Sequence, residues 1–373
     1  MTATAASTDR QDRFAPHALQ SFCEQVFIEI GFPSEEARTA ARVLNQADLR
    51  GIDSHGIARL EGYVRLVRQN RIKPQAQPHY LHETPSTATL DADEGLGLAV
   101  AQGAMHKAIE KAHTVGSGWV AIQNSSHFGI AYAHAALALP HNMIGVAFTN
   151  ASPLVAPAGA VQPALGTNPI CTVFPAGRYD PVVIDMATTT VANGKLEIAA
   201  RQGKALPEGW AQDANGAVSL DPKSLANGGT LLPLGSDPQR SSHKGYALGG
   251  MVDLLSGVLS GANFGPWVPP FVSFLDPGTQ SVGKGIGHFV GCWRVDAFRA
   301  LPAYHAAIDH WVEAMKSRKP AEGQEVLVPG EPEMRIQQAR RQHGIPLHPK
   351  VMASLQKLSA SLSLQPPSAL PNA

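Results

Sequence analysis

The segment DLRGIDSHGIAR, residues 48–59, places Asp53, Ser54, His55 and Gly56 in succession between Arg50 and Arg59. Imidazole titrates near neutrality, so His55 suits proton transfer, with Ser54 able to donate or relay. Gly56 lets a substrate or backbone come close. The same residues equally suit a helix cap beside a surface histidine. A second segment, NSSHFG at 124–129, follows a predicted strand and precedes a predicted helix. Ligands of α/β sheets collect at such carboxyl ends of strands. Ser125 or Ser126 is expected to cap the following helix, with His127 held in one tautomer as an acid or base. A packed histidine is the plainer alternative.

Three further segments carry anion chemistry. TNASPLVAPAGAVQPALGTN, 149–168, takes an irregular Pro/Gly path whose amides can nest phosphate oxygens, or form an ordinary rigid loop. Asp185, Met186, Ala187 and Thr188 end a strand and lead to Asn193, Gly194 and Lys195. An acid there can take ribose hydroxyls, and Lys195 can hold a carboxylate; a cap with a solvated lysine fits as well. The pair SHKG at 242–245 and GKGIGHF at 283–289 offers Lys244 and Lys284 to phosphates, or two solvated turns. No GxGxxG follows a first strand, and GxxxxGK[ST], HExxH and GxSxG are missing, so neither a Rossmann site nor a metal site is expected.

The elements around these segments follow from periodicity. Residues 16–30 put Leu19, Phe22, Cys23, Val26, Phe27 and Ile30 on one helical face. Ser34 is expected to cap a second helix with a small-residue stripe of Ala37, Ala40, Ala41, Leu44 and Ala47, and a third covers 60–67. Residues 73–90 read as a connection into a new domain. Beyond it, strands at 87–93, 118–124 and 143–150, then PICTVFP and PVVIDMA, alternate with helices at 98–113 and 131–139, which predicts a mixed α/β layer structure. Residues 203–242 are too long for an ordinary connection and read as a functional loop. A helix over 246–259, a strand within 283–293 and a long helix over 295–315 opened by Asp296 complete the reading.

The 373 residues include 30 Lys plus Arg against 30 Asp plus Glu, with 44% hydrophobic residues, which argues for a folded body and against disorder or a nucleic-acid partner. Three scattered cysteines exclude a disulfide scaffold and suit a reducing compartment. No stretch approaches the ~20 apolar residues of a membrane helix. The start, MTATAASTDRQDRF, lacks the apolar core of a signal peptide and reads as unordered. A cytoplasmic protein is expected.

ADLRGIDSHGIARL at 47–60, NSSHFGIA at 124–131, ALGTNPI at 164–170, VIDMATT at 183–189 with NGK at 193–195, HKGYAL at 243–248 and GHF at 287–289 together resemble the malate/L-lactate dehydrogenase family, the L-sulfolactate-dehydrogenase-like oxidoreductases, over roughly residues 14–350. The resemblance implies a non-Rossmann α/β nucleotide domain with a mixed sheet at 79–294, including the 203–242 loop. A mainly helical domain from both chain ends, 1–78 and 295–373, completes the implied architecture. It further implies an NAD- or NADP-dependent 2-hydroxy-acid dehydrogenase, cytoplasmic and a homodimer or higher homo-oligomer. The substrate would be a small anionic 2-oxo or 2-hydroxy acid; a cyclic imino-acid (piperideine/pyrroline-2-carboxylate) reductase is the alternative. By the same resemblance Ser54, His55, His127 and Lys195 are catalytic, with His55 preferred as proton carrier. Thr167 resembles a substrate-contacting residue, and Arg50 or Arg59 is expected to hold the substrate carboxylate in a bidentate grip. The implied cofactor set is His127, Phe128, Gly129, Asp185, Met186, Ala187, His243, Lys244, Gly283, Lys284, Gly285, Ile286, Gly287 and His288. Lysine at 195 favours an anionic oxo acid over a cationic imine, since like charges repel in a partly dry site. Asn193 and the run Ser241, Ser242, His243, Lys244 depart from the family's usual residues.

Overall fold

The computed structural model describes residues 12–276 and 278–371; the start expected to be unordered lies, through residue 11, outside them. The chain divides into two units, one formed by residues up to Val64 and from Glu333 onward, the other by Arg65–Pro332. Residues 65–78 and 295–332 therefore fold with the larger unit. Among the described residues no helix is long and apolar enough to cross a membrane.

In the smaller unit, α1 (Pro16–Glu29) buries Leu19, Phe22, Cys23, Val26 and Phe27, the face its spacing selects. Helix α2 (Ser34–Leu49) buries Ala37, Ala40, Ala41, Leu44 and Ala47. Its cap is Pro33, in extended conformation, so Ser34 is the first helical residue and not the cap. Helix α3, Leu60–Arg68, begins in this unit and ends in the larger one. Arg13–Phe14 pairs with Ile345–Pro346, tying the two ends of the chain together.

The larger unit holds a seven-stranded sheet. Its strands are β1 (His79–Glu83), β2 (Thr87–Asp91), β3 (Ser117–Ser125), β4 (Met143–Thr149), β5 (Ile170–Phe174), β6 (Val182–Met186) and β7 (Ile286–Arg294). They lie in the order β1-β2-β3-β7-β4-β5-β6. Only β2 and β3 run parallel, joined by α4 (Gly97–Val115) as a crossover connection requires. The last strand in sequence thus fills the centre. β1 was not legible in the segment read as a connection: all five of its residues are exposed, so it carries no alternation.

Proline explains two further departures. The expected 131–139 helix is a short α5 (Ala131–Ala135) that tightens into a 3₁₀ turn, Ala136–His141, containing Pro140. The expected 295–315 helix starts instead as α8 (Leu301–Lys316), after a separate turn at Val295–Ala297. Pro302 fits only within a helix's first turn. Residues 203–242 are not structureless: Ala211–Gln212 pairs with Val218–Ser219 and Thr230–Leu231, over a small core that includes Leu206, Leu225 and Leu231. Between them and β6 lies α6 (Asn193–Gln202), and α7 (Ser242–Asp253) follows, continued by a wider π turn, Leu254–Val258.

Alanine-rich α4 and α5 lie very close to the sheet. A Cβ on Gly118 would stand 1.9 Å from the Ala108 carbonyl oxygen, and one on Gly145 2.1 Å from that of Ala135. Both obstacles are backbone, which cannot swing aside. Gly118→Ala is therefore expected to destabilise the protein by at least about 1–3 kcal/mol in urea unfolding; an unchanged midpoint would refute this account of the packing.

Candidate active site

The first cluster lies in the smaller unit. Asp48, buried at the end of α2, accepts the Ile57 N–H at 2.8 Å and lies against Gly56, where a Cβ would meet its carboxylate at 1.8 Å. This fixes the turn that carries Ser54 and His55. Burial pushes the Asp48 carboxyl up to about 8, against the Ile57 hydrogen bond. Ser54 Oγ is 2.8 Å from His55 Nδ1, and Arg59 Nε donates to the Ser54 carbonyl at 2.5 Å. Burial, helped by the Arg59 charge, lowers His55 to about 4, so its ring is neutral at pH 7. Arg50 is only 2% exposed and reaches Met334 and Gln337 inside the same unit. Its setting is packing, whereas Arg59 is half-buried beside the Ser54–His55 pair.

The second cluster is the end of β3 in the larger unit. Asn124 takes a left-handed φ of 57°, and its side chain donates to Asp91 at 2.8 Å. Asp91 also accepts from Asp93 N, Gln123 and Lys284. Burial opposes its charge, but these hydrogen bonds prevail and hold the carboxyl at about 2. Ser126 Oγ accepts the Gly97 N–H at 2.9 Å and donates to the Gly95 carbonyl at 3.1 Å. It thus serves the start of α4, not the following helix as expected; α5 has no side-chain cap.

Ser125 points the other way, to His288 Nε2 at 2.9 Å. The His288 Nδ1 meets Thr149 Oγ1 at 2.7 Å, and that hydroxyl donates to the Asn150 carbonyl at 2.8 Å. The chain of donors makes Nδ1–H the donor and Nε2 the acceptor of the Ser125 hydroxyl. Phe128, fully buried, stacks on His288 at 4.8 Å and lies 4.6 Å from His134. The His134 Nε2 meets the Phe128 carbonyl at 2.7 Å and its Nδ1 meets Gln102. Phe128 and His288 are therefore wall and brace of the 124–129 turn, with no surface for a ligand.

A cavity of about 230 Å³ opens at this turn. Asn124, Ser125, Ser126 and His127 line it, with Leu66, Asn70, Arg71, Glu94, residues 269–271, Gly285 and Ile286. His127 Nδ1 accepts the Gly129 N–H at 3.2 Å, which leaves the neutral ring's proton on Nε2. The Phe271 ring covers the imidazole at 4.5 Å. Gly285, with φ 56°, lies where a Cβ would stand 2.8 Å from Asn124. The pairing of Ile286 with Ser125 thus brings two distant segments of the expected cofactor set to one place.

The remaining expected residues lie elsewhere. Lys195 is exposed on the first turn of α6, and His243 and Lys244 are exposed on that of α7. Asp185 is exposed and accepts the Tyr132 N–H at 3.3 Å; Met186 and Ala187 are half-buried. The Thr167 carbonyl accepts the Thr188 N–H and hydroxyl. Lys284 pairs with Asp91, and Gly287 is buried where a Cβ would meet the Ser256 carbonyl at 1.8 Å.

The family model for malate/L-lactate dehydrogenase matches residues 14–356. The chain belongs to this family. A malate dehydrogenase of Pyrococcus abyssi is 38% identical, over 95% of this chain and 96% of its own. A malate/(S)-sulfolactate dehydrogenase of Methanothermus fervidus is 36% identical, over 94% and 98%. The structure of malate dehydrogenase from Pyrococcus horikoshii OT3 superposes with a TM-score of 0.87 at 34% identity, covering 98% of this chain and 100% of the other. A pyrroline/piperideine-2-carboxylate reductase of Pseudomonas putida is more distant, 33% identical over 74% of this chain and 83% of its own. As a malate/L-lactate dehydrogenase family member the protein is an oxidoreductase interconverting 2-hydroxy and 2-oxo acids. Its fold is the mixed α/β architecture of its malate and sulfolactate dehydrogenase neighbours, as the sequence resemblance implied.

Sequence reasoning missed Arg71, Glu94 and Phe271. Arg71 lies between the expected 60–67 helix and the 73–90 connection, and only the basic run RLVRQNRIK at 65–73 points to it.

Burial lowers His134 to about 4, and burial with the neighbouring His134 lowers His288 to about 3, from an ordinary 6.5. The unfolded chain takes up protons below pH 6.5 while these folded sites do not. Their contribution is intact above pH 6.5 and is lost as pH falls toward 4. Urea stability is expected to drop over that window by on the order of 3 kcal/mol for each of the two histidines, and less steeply in His134→Gln. A profile unaltered by that substitution would remove His134 from the account.

Proposed function

We propose that the enzyme is an NAD- or NADP-dependent dehydrogenase of a small anionic 2-hydroxy acid, malate or sulfolactate in type. The observation that carries this reading is the cavity that sets His127 beside amide and guanidinium donors. Its 230 Å³ falls below the ~300–1,000 Å³ of sites that enclose drug-sized ligands, so it suits a small acid or one planar ring but not a whole dinucleotide. The names of the relatives from Pyrococcus abyssi and Methanothermus fervidus support the substrate type. The imino-acid reductase reading is the weaker one, since that relative is more distant.

A nicotinamide cofactor, when bound, supplies the acceptor for the hydride leaving C2. The residues present suit such a group. His243 and Lys244 put N–H donors, the lysine a cationic one, on the positive end of α7, which favours phosphate. Asp185, Met186 and Ala187 at the end of β6, with Gly283 and Gly285, complete the set that would hold it.

The hydroxyl proton must leave as the C2 carbonyl forms. His55 is our proton carrier. Its neutral state lets it accept, and the Ser54 hydroxyl, which can take a hydrogen bond from Nδ1–H, leaves Nε2 as the basic nitrogen. His127, whose Nδ1 accepts from Gly129, presents an Nε2–H suited to holding a substrate oxygen. Arg59 is favoured over buried Arg50 as the carboxylate fork. Lys195, exposed on α6, is retained as part of the relay. Homo-oligomer formation is supported by an apolar stripe on α7 and its π turn: Met251, Leu254 and Val258 are 40%, 59% and 49% exposed. A cytoplasmic setting is supported by three free, buried cysteines.

A spectrophotometric screen at 340 nm should cross NADH and NADPH with oxaloacetate, pyruvate, 3-sulfopyruvate and cyclic imines. Oxidation of a reduced nucleotide by an oxo acid is expected; turnover of imines alone would overturn the reading. In single-turnover hydride transfer, His55→Ala is expected to lose about 10²–10⁴-fold. If His55→Ala leaves this step intact while His127→Ala abolishes it, the proton role belongs to His127. Leu254→Glu should shift the wild-type oligomer toward monomer in mass photometry.

A further inference from the structure

Arg71 lines the cavity, and Arg65, which does not, lies near enough for its charge to act on Arg71. Arg71 Nη2 donates to the Pro270 carbonyl at 2.7 Å, and Arg65 Nη2 to the Phe271 carbonyl at 2.5 Å. The Phe271 N–H is held in turn by Ser152 Oγ at 2.9 Å. Three bonds thus fix the wall, residues 269–271, that lays Phe271 over His127. Among the described residues both guanidiniums donate to neutral carbonyls, and no carboxylate pairs with either. Burial, then the Arg65 charge, lowers the Arg71 pKa, as expected of two cations crowded in a partly dry place. Glu94 lines the same cavity but is exposed. Of the charged side chains that line the cavity, Arg71 is partly buried and Glu94 exposed, and Arg71 spends one of its five N–H donors on the wall.

We infer that Arg71 is a specificity-determining residue that receives the second anionic group of the substrate, a carboxylate or sulfonate on C3, inside the His127 cavity. The inference rests on the hydroxy-acid reading and deepens it. A monoanionic acid brings only its C1 carboxylate to a guanidinium fork. A second fork, anchored by carbonyls and lacking an acidic partner, adds affinity only for a ligand that brings a second charge. Arg65, whose guanidinium is committed to the Phe271 carbonyl, holds the wall and raises the local positive potential.

The test compares oxaloacetate with pyruvate in wild type, Arg71→Gln, Arg71→Lys and Glu94→Gln, with thermal unfolding as the check on folding. Arg71→Gln is expected to lower kcat/KM for oxaloacetate about 10- to 100-fold through KM, with pyruvate changed less than about threefold. Arg71→Lys should recover part of the loss, since it keeps the charge without the fork. Glu94→Gln should lower KM for oxaloacetate alone. Equal losses for both acids would make Arg71 a holder of the C1 carboxylate or of the wall, and a weakened nucleotide Kd would make it a cofactor contact; either overturns the inference. Should Arg71→Gln fail to fold, the Arg71→Lys and Glu94→Gln pair decides by whether the two acids separate. Malonate and acetate binding by calorimetry supplies a readout independent of turnover. A wild type that reduces neither acid would sink the hydroxy-acid reading, whereas equal binding of malonate and acetate would sink this one.

Discussion

The functional part of the larger unit depends on how the carboxyl end of β3 is tied down. Ser126 joins that end to the start of α4 by a bond in each direction, to Gly97 N–H and Gly95 carbonyl. Asn124 ties it to Asp91 at the end of the parallel neighbour β2. Ser125 ties it to His288 on β7, the antiparallel neighbour on the other side. Three consecutive residues thus spend their side chains on three different elements. Each bond is buried or nearly so, and breaking one leaves a partner unsatisfied at a cost of about 1–3 kcal/mol. His127 is the next residue, so its position is inherited from a rigid frame.

Glycine serves this protein in two distinct ways. Gly129 and Gly285 have positive φ, 80° and 56°, and close the turn around His127. Gly118, Gly145 and Gly287 instead lie in strands, where a Cβ would strike a carbonyl oxygen at 1.8–2.1 Å. Helix and turn backbones come down onto the sheet at these points. The small-residue packing explains how the centre of the sheet can hold Phe128 between two histidines without strain on the layers around it. It also shifts Gly287 from a cofactor loop into the core.

Much of this was legible in the chain and some was not. Periodicity marked α1, α4 and strands β2–β6, because each buries one face or one long apolar run. It failed for β1, which is exposed throughout, and for the ends of α5 and α8, where Pro140 and Pro302 override the apolar pattern. The motif segments marked the Ser54–His55 pair and the 124–129 turn. The family resemblance also placed Phe128 and His288 in the cofactor set, whereas both side chains are fully buried, which only the packing around them reveals. The cavity itself was beyond sequence reasoning. It is assembled from residues 66–71, 94, 124–127, 269–271 and 285–286, and no local signal says that an arginine near position 70 will meet a proline near 270.

Net charge illustrates the same point at the level of function. With 30 cationic and 30 anionic side chains the whole molecule offers no guide to a ligand's sign. Selectivity arises from how individual charges are neutralised. Arg340 is paired with Asp53, and Lys284 with Asp91, so these cations are already satisfied by carboxylates. Arg65 and Arg71 are oriented by carbonyl oxygens, which satisfy geometry but carry no formal charge. In a partly dry cavity such a guanidinium keeps most of its field. A neutral protein can therefore present a guanidinium in a recess without a carboxylate bonded to it, held there by the backbone carbonyl of a two-proline wall.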